Sequence, residues 1–346
     1  MTIITTTGVL ALAISTLFAA ETVDSTAPNN RAIVIAVDGA KFTAADVQRT
    51  KGAGLFQARN TLFEAEKRAA DDFINDYLLE RQAKKENLSV ADLLKRHVDS
   101  VADKVPSEEA LRVFYDGVDT TEPFEAVREK IIDSIRQRRG AKAKTAYLQS
   151  LRSQAMISVR LSAPRVNIGL ENTPLRGNTD APVKVVEYAD YECPYCQQIQ
   201  PAIAKLEADF KGKIVFAYKD VPLPNHANAQ KAAEATRCAA AQGKYWEFHD
   251  LLFASKQYDL AMLKEHARTL KLDGPAFGKC LDSGSTAELI KAHVAEAQAV
   301  ALPGTPGFFV NGRFVSGAVD FDTLRRVVEE ELQAVSAESN RAVAAR

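Results

Sequence analysis

The stretch Val183-Lys184-Val185-Val186-Glu187-Tyr188-Ala189-Asp190-Tyr191-Glu192-Cys193-Pro194-Tyr195-Cys196 decides the fold. Val183, Val185 and Val186 read as a buried strand. Ile199, Ile203, Leu206 and Phe210 then recur at helical spacing until Gly212 stops the pattern. The two cysteines therefore fall where a strand hands over to a helix. Unpaired N–H groups give a helix N-terminus partial positive charge, which favours a thiolate. Cys193 is expected to have a lowered pKa and to attack. Cys196, one turn further in, is expected to be more buried and to resolve a mixed disulfide. Pro194 and Tyr195 complete the redox motif. Two other readings compete: half of a zinc site, and an inert structural bridge. Zinc needs two more ligands at suitable spacing. Cys238 and Cys280 are far apart, and His97, His226, His249, His266 and His293 form no ligand pattern. No metal is expected.

Outward from this stretch, Ile214 to Tyr218 reads as the next strand, and Ala227 to Ala301 as a long helical region. Gly304-Thr305-Pro306 follows. Phe308 to Val310 and Phe314 to Ser316 are strands joined by Asn311-Gly312, a strong hairpin signal. A last helix runs through Leu324, Val327, Val328 and Leu332. Strand, helix, strand, helical insertion, hairpin and helix make an α/β mixed sheet with helices packed on it. Cys238 and Cys280 lie in the insertion, either bridged or as two buried thiols. Spacing alone does not choose between them.

The N-terminal half is mostly helical. Ala32 to Val37 is a β-rich run closed by Asp38-Gly39, and Thr43 with Asp46 marks a capping box. Amphipathic helices follow through Leu55 to Leu78. Ser89 with Asp92, and Ser107 before Glu108 and Glu109, open two more. Pro123 opens a long helix running to Leu151. Ile157, Val159 and Leu161 alternate like a short strand that would pair with Ala32 to Val37. Residues 162–180, with Pro164, Gly169, Pro174 and Gly177, lack periodicity and read as a linker. At the start, Gly8 to Ala20 is apolar and uncharged, too short to span a bilayer comfortably but suited to a secretory signal. No Lys or Arg precedes it, and Leu17 and Phe18 are bulky for the position before a cut, so an uncleaved anchor is the alternative. Four cysteines behind such a segment suit an oxidising compartment. The formal net charge of -1 leaves no basic excess for nucleic acid or an anionic membrane.

From about Gly177 to Leu332 the chain resembles the DsbA-like thiol–disulfide oxidoreductases. The segments carrying the likeness are Ala181-Pro182-Val183, Tyr191 to Cys196, Lys219-Asp220-Val221-Pro222-Leu223 and Gly304-Thr305-Pro306. Ala232 to Ala241 and Lys244 to Phe253 add to it. The resemblance implies a thioredoxin fold with a helical insertion. It also implies a cis peptide before Pro306, with Thr305 backbone groups offered to an extended substrate peptide. Glu187 matches the family's acidic residue behind the second cysteine, a candidate proton shuttle to Cys196, with Lys219 its expected charge partner. Tyr195 stands where the strongest oxidases carry a His, which leaves the direction of electron flow open. The N-terminal half resembles the SurA-like periplasmic chaperone domain through Ala36 to Gly39, Lys84 to Leu94, Pro106 to Glu109 and Phe124 to Leu161. Only Asp116 to Glu122 fills the place of a parvulin insert, so prolyl isomerase activity is not expected.

The expected organisation is a signal at 1–20, a mainly α-helical SurA-like domain at 31–161, a linker at 162–180, a DsbA-like thioredoxin-fold domain at 181–335 and a tail at 336–346. The expected reaction is dithiol–disulfide exchange on unfolded or cysteine-containing proteins, by Cys193 and Cys196 with Thr305, Pro306 and Glu187. No cofactor is required. A redox partner protein is implied, the location is periplasmic or otherwise exported, and the oligomeric state is open. The rival function is a periplasmic chaperone whose CxxC is structural.

Overall fold

In the computed structural model, residues 33–117, 119–315 and 319–344 are described. The expected signal and the Ser316 end of the last strand lie outside them. The chain falls into two compact units that divide between Lys51 and Gly52. The first holds a hairpin, β1 (Ile33–Val37) and β2 (Ala40–Thr43). Asp38 and Gly39 form its two-residue turn, both at positive φ. The strand following Asp38-Gly39 is a difference from the sequence reading, which ran straight into a helix. The capping box is present: Thr43 N donates to Asp46 Oδ2 at 2.8 Å, and Asp46 N donates to Thr43 Oγ1 at 3.2 Å.

The helices α1 (Ala44–Glu86), α2 (Val90–Leu94), α3 (Ser100–Ala102), α4 (Glu108–Asp116) and α5 (Phe124–Ser153) follow, with a π turn at Lys95–Asp99 before α3. Ser89 and Ser107 cap α2 and α4 through their hydroxyls, and Pro123 precedes α5. The second half of α1 packs on α5 through Leu78, Leu79, Ala83 and Leu151, with Leu93 between them. Leu111, Phe124, Val127 and Ile131 form a second small core.

Then come β3 (Leu175–Gly177), β4 (Val183–Ala189), α6 (Pro194–Asp209) and β5 (Ile214–Asp220). The insertion is α7 (Ala229–Ala240), α8 (Tyr245–Ser255), α9 (Leu260–Thr269), α10 (Gly274–Ser283) and α11 (Ala287–Ala299). The chain ends with β6 (Gly307–Val310), β7 (Arg313–Val315) and α12 (Phe321–Ala344). The five strands pair in the order β3-β5-β4-β6-β7. β4 and β5 are parallel and central, and the other pairings are antiparallel. Helices cover both faces of β4 and β5, so every residue of β5 is buried and only Lys184 of β4 is exposed. That is why these strands read as apolar runs rather than alternating ones.

Four expectations are corrected. Residues 157–161 form no strand, and β1 pairs with β2 instead; the nearby turn closes β1 onto its own neighbour at far less loop-closure cost. The presumed linker supplies β3, and its Val166, Ile168 and Leu170 pack against the sheet; short apolar side chains among prolines hid an edge strand. The presumed tail continues α12 through Ala344. The compact units do not divide at 162–180: from Gly52 onward α1 belongs to the same unit as the sheet domain. Phe56 stacks on Phe309 with centroids 6.3 Å apart, and the Gln57 amide donates to the carbonyls of Val300 and Ala301. Among the described residues no helix is long and apolar enough to cross a membrane.

Candidate active site

The two cysteines lie where β4 ends and α6 begins. Cys193 is the N-cap residue of α6 and Pro194 its first helical residue. Proline is suited there, since its missing N–H would have had no helical partner. The N–H groups of the next two residues, Tyr195 and Cys196, are the unsatisfied donors that face an N-cap side chain. Both cysteines are free and buried. Tyr195 is 68% exposed, so the motif presents its second residue to solvent.

Pro306 enters β6 through a cis peptide with Thr305. This turn brings Thr305 against the dithiol: Cys193 Sγ donates to the Thr305 carbonyl at 3.4 Å. The Thr305 hydroxyl is buried beside the same sulfur and meets no hydrogen-bond partner at normal geometry. Beside them is an open groove of about 770 Å³, lined by Tyr195, Ile199, Ala202, Thr305, Pro306 and Phe321.

The site's electrostatics separate the two sulfurs. A hydrogen bond from the Cys196 thiol pulls the Cys193 thiol down from 9.0 to about 5, against the opposing effect of burial. The Thr305 hydroxyl and the backbone N–H groups of Cys196 and Tyr195 add to the lowering. Burial pushes Cys196 far up, and its hydrogen bond to Cys193 and the charge of Glu187 push the same way. One sulfur is thus a thiolate at neutral pH and the other a thiol.

Glu187 points into the core from the middle of β4 with no exposed surface. Both carboxyl oxygens lack a hydrogen-bond partner. Burial raises it from 4.5 to about 8, offset in part by Gln200, whose amide donates to the Cys196 carbonyl. Lys219 is not its partner. In the parallel ladder Glu187 is opposite Tyr218, and Lys219 is opposite Tyr188. Successive side chains alternate faces, so Lys219 lies on the far face and pairs with Glu296.

The remaining sequence candidates, Cys238 and Cys280, are bonded to each other, with Cα atoms 5.8 Å apart. They join α7 to α10 and do not contribute to the dithiol. Among the described residues no cluster of His, Cys, Asp or Glu is arranged to hold a metal.

Sequence reading missed the residues that fasten the CxxC approach. Asp190, Glu192 and Gln197 bind the loop after β5 and Tyr258 by hydrogen bonds. A run of polar residues before a cysteine looks like any exposed turn, and nothing local marks their partners 30 to 60 residues away.

Residues 170–330 match the thioredoxin family model, and that span carries a thioredoxin-fold domain. The Na(+)/H(+) antiporter NhaA 3 of Salinispora tropica is 42% identical over 156 residues, covering 44% of this chain and 24% of that protein. The chain thus spans about a quarter of the length of the curated relatives it matches. Oxidised BdbD from Bacillus subtilis is 24% identical, with 49% of this chain and 98% of that chain covered at a TM-score of 0.46. The thiol-disulfide exchange protein alpha-DsbA2 from Wolbachia pipientis is also 24% identical, with 46% and 87% covered at a TM-score of 0.42.

Proposed function

We propose that this protein is a DsbA-like protein thiol–disulfide oxidoreductase that donates its Cys193–Cys196 disulfide to cysteine-containing polypeptides. The observation that carries the reading is the free dithiol at the start of α6, its Cys193 sulfur 3.4 Å from the Thr305 carbonyl and its thiol lowered to about 5.

The reaction balances as follows. A substrate thiolate attacks Cys193 Sγ, the Cys193–Cys196 bond breaks, and Cys196 leaves with the electron pair. Glu187, protonated at neutral pH, supplies its proton. The second substrate thiolate then attacks the substrate sulfur of the mixed disulfide, and Cys193 leaves as a stabilised thiolate. The substrate loses two electrons and gains a disulfide; the pair gains both. A partner disulfide must reoxidise the pair. A low thiolate pKa makes Cys193 a good leaving group and stabilises the reduced pair, and both effects favour donation. The groove beside Tyr195 and Pro306 suits an extended peptide, paired along the Thr305 backbone.

The SurA-like reading of the helical half extends this proposal. Phe73 is 73% exposed, and Leu62 and Tyr77 lie exposed on the same helix. Such a surface suits an unfolded chain and would raise its effective concentration near the dithiol. The expected exported location is supported by the Cys238–Cys280 bridge, which suits an oxidising compartment. Antiport, the activity in the name of the Salinispora relative, is not transferred from a match to a quarter of that protein.

The test is a trapping experiment with a reduced, unfolded two-cysteine substrate. The oxidised wild type should introduce the substrate disulfide. Cys196→Ser should accumulate a mixed disulfide on Cys193 when offered an activated substrate disulfide, and Cys193→Ser should do neither. A wild type that neither oxidises nor reduces the substrate sinks the proposal and favours a chaperone with an inert dithiol.

A further inference from the structure

Asp190 is the residue on which both cysteines lean. Its carbonyl accepts the Cys193 N–H at 3.2 Å, and its own N–H faces the Cys196 sulfur. Its side chain is fully buried and makes three contacts. Oδ1 accepts the Glu192 N–H at 2.7 Å, Oδ2 accepts the Leu223 N–H at 2.8 Å, and Oδ2 also receives His226 Nδ1 at 2.7 Å. The first two donors are backbone groups that any sequence would supply. The third is a side chain, and the dithiol chemistry has no other use for it. Glu192 repeats the pattern by accepting both the N–H and the side-chain amide of Asn228. The loop after β5 is therefore clamped to the CxxC approach at two places, with His226 at the one nearer the sulfurs.

We propose that His226 is a positioning residue for the dithiol: by donating to Asp190 it holds the backbone that touches both cysteines, and so sets the reactivity of Cys193. It does not touch the reacting atoms. Without its donor the buried Asp190 carboxylate loses one of three hydrogen bonds and presents more uncompensated negative charge toward Cys193. The backbone that aims N–H groups at the sulfur is also loosened. Both changes disfavour the thiolate. Asparagine is the informative replacement, because its amide nitrogen can occupy the place of His Nδ1 and restore the donor without the ring.

The inference rests on Cys193–Cys196 being the reacting pair, but its readout does not require turnover. The thiolate absorbance of Cys193 is titrated in the full-length reduced protein, wild type against His226→Ala and His226→Asn, with urea midpoints alongside. The expected result for His226→Ala is an upward shift of the titration midpoint by about one pH unit, roughly a tenfold fall in the ratio of thiolate to thiol at a given pH. His226→Asn should titrate close to wild type. If the alanine variant does not fold, His226→Leu keeps the bulk without the donor and should give the same shift. The proposal is overturned if the donor-less variant titrates like wild type while its urea midpoint falls, since His226 would then be structural only. It is equally overturned if the asparagine variant shifts as far as alanine. A wild type without exchange activity whose Cys193 still responds to His226 would remove the proposed function and leave the positioning role standing.

Discussion

Cys193 and Glu187 are displaced in opposite directions, and each displacement has a stability consequence. A thiol lowered from 9.0 to about 5 loses its proton earlier in the folded reduced protein than in the unfolded chain. Its contribution is complete above the ordinary value and is lost as pH falls through the lowered one. At pH 7 it favours the reduced pair and moves the couple toward the oxidising side. Thr305→Val should remove one donor, raise the Cys193 pKa by about one unit and make the pair less oxidising in a glutathione titration. Glu187 works the other way. Its carboxyl is raised from 4.5 to about 8, so folding is opposed increasingly as pH climbs between those values. Glu187→Gln should therefore raise the melting temperature of the reduced protein near pH 8, with little change below about pH 4.5. At pH 7 the gain is at most about 3 kcal/mol. Release of Cys196 from the disulfide should slow in the same variant, since the amide has no proton to give.

At the scale of elements, local signals and distant contacts separate cleanly. The two-residue turns Asp38-Gly39 and Asn311-Gly312, the serine caps at Ser89 and Ser107 and the proline before α5 were all legible, because each acts over three or four residues. β3 was not legible: three residues are too few for a periodic pattern, and the strand exists because β5 offers it an edge. The helical insertion is stapled by a bridge across 42 residues between α7 and α10. In a chain-entropy account, closing such a loop stabilises the fold by about 4 kcal/mol. Replacing Cys238 and Cys280 together by alanine should lower the urea midpoint accordingly, while the Cys193 thiolate titration is kept in the molecules that remain folded.

At the scale of the whole molecule, α1 ties the helical half to the sheet domain. Phe56 and Phe63 are buried, Arg313 lies over the Phe63 ring at 5.3 Å, and Lys67 reaches Glu330 at 3.5 Å. Phe56→Ala should cost about 3–5 kcal/mol and expose α1 to limited proteolysis, with the Cys193 titration changed by no more than about 0.3 units if the helical half acts on substrate rather than on the sulfurs. A protease pattern identical to wild type would show that the helix is held by other contacts. The sequence by itself determined the order of strands and helices, the cysteine pair at a helix start and the hairpin that follows Pro306. All of these follow from hydrophobic period and turn chemistry within a few residues. Only the tertiary structure decided that Glu187 is sealed and unpaired, that Lys219 turns to the far face, that Cys238 meets Cys280, and that His226 reaches Asp190. Those outcomes depend on register and packing between segments tens of residues apart, which local chemistry does not encode in readable form.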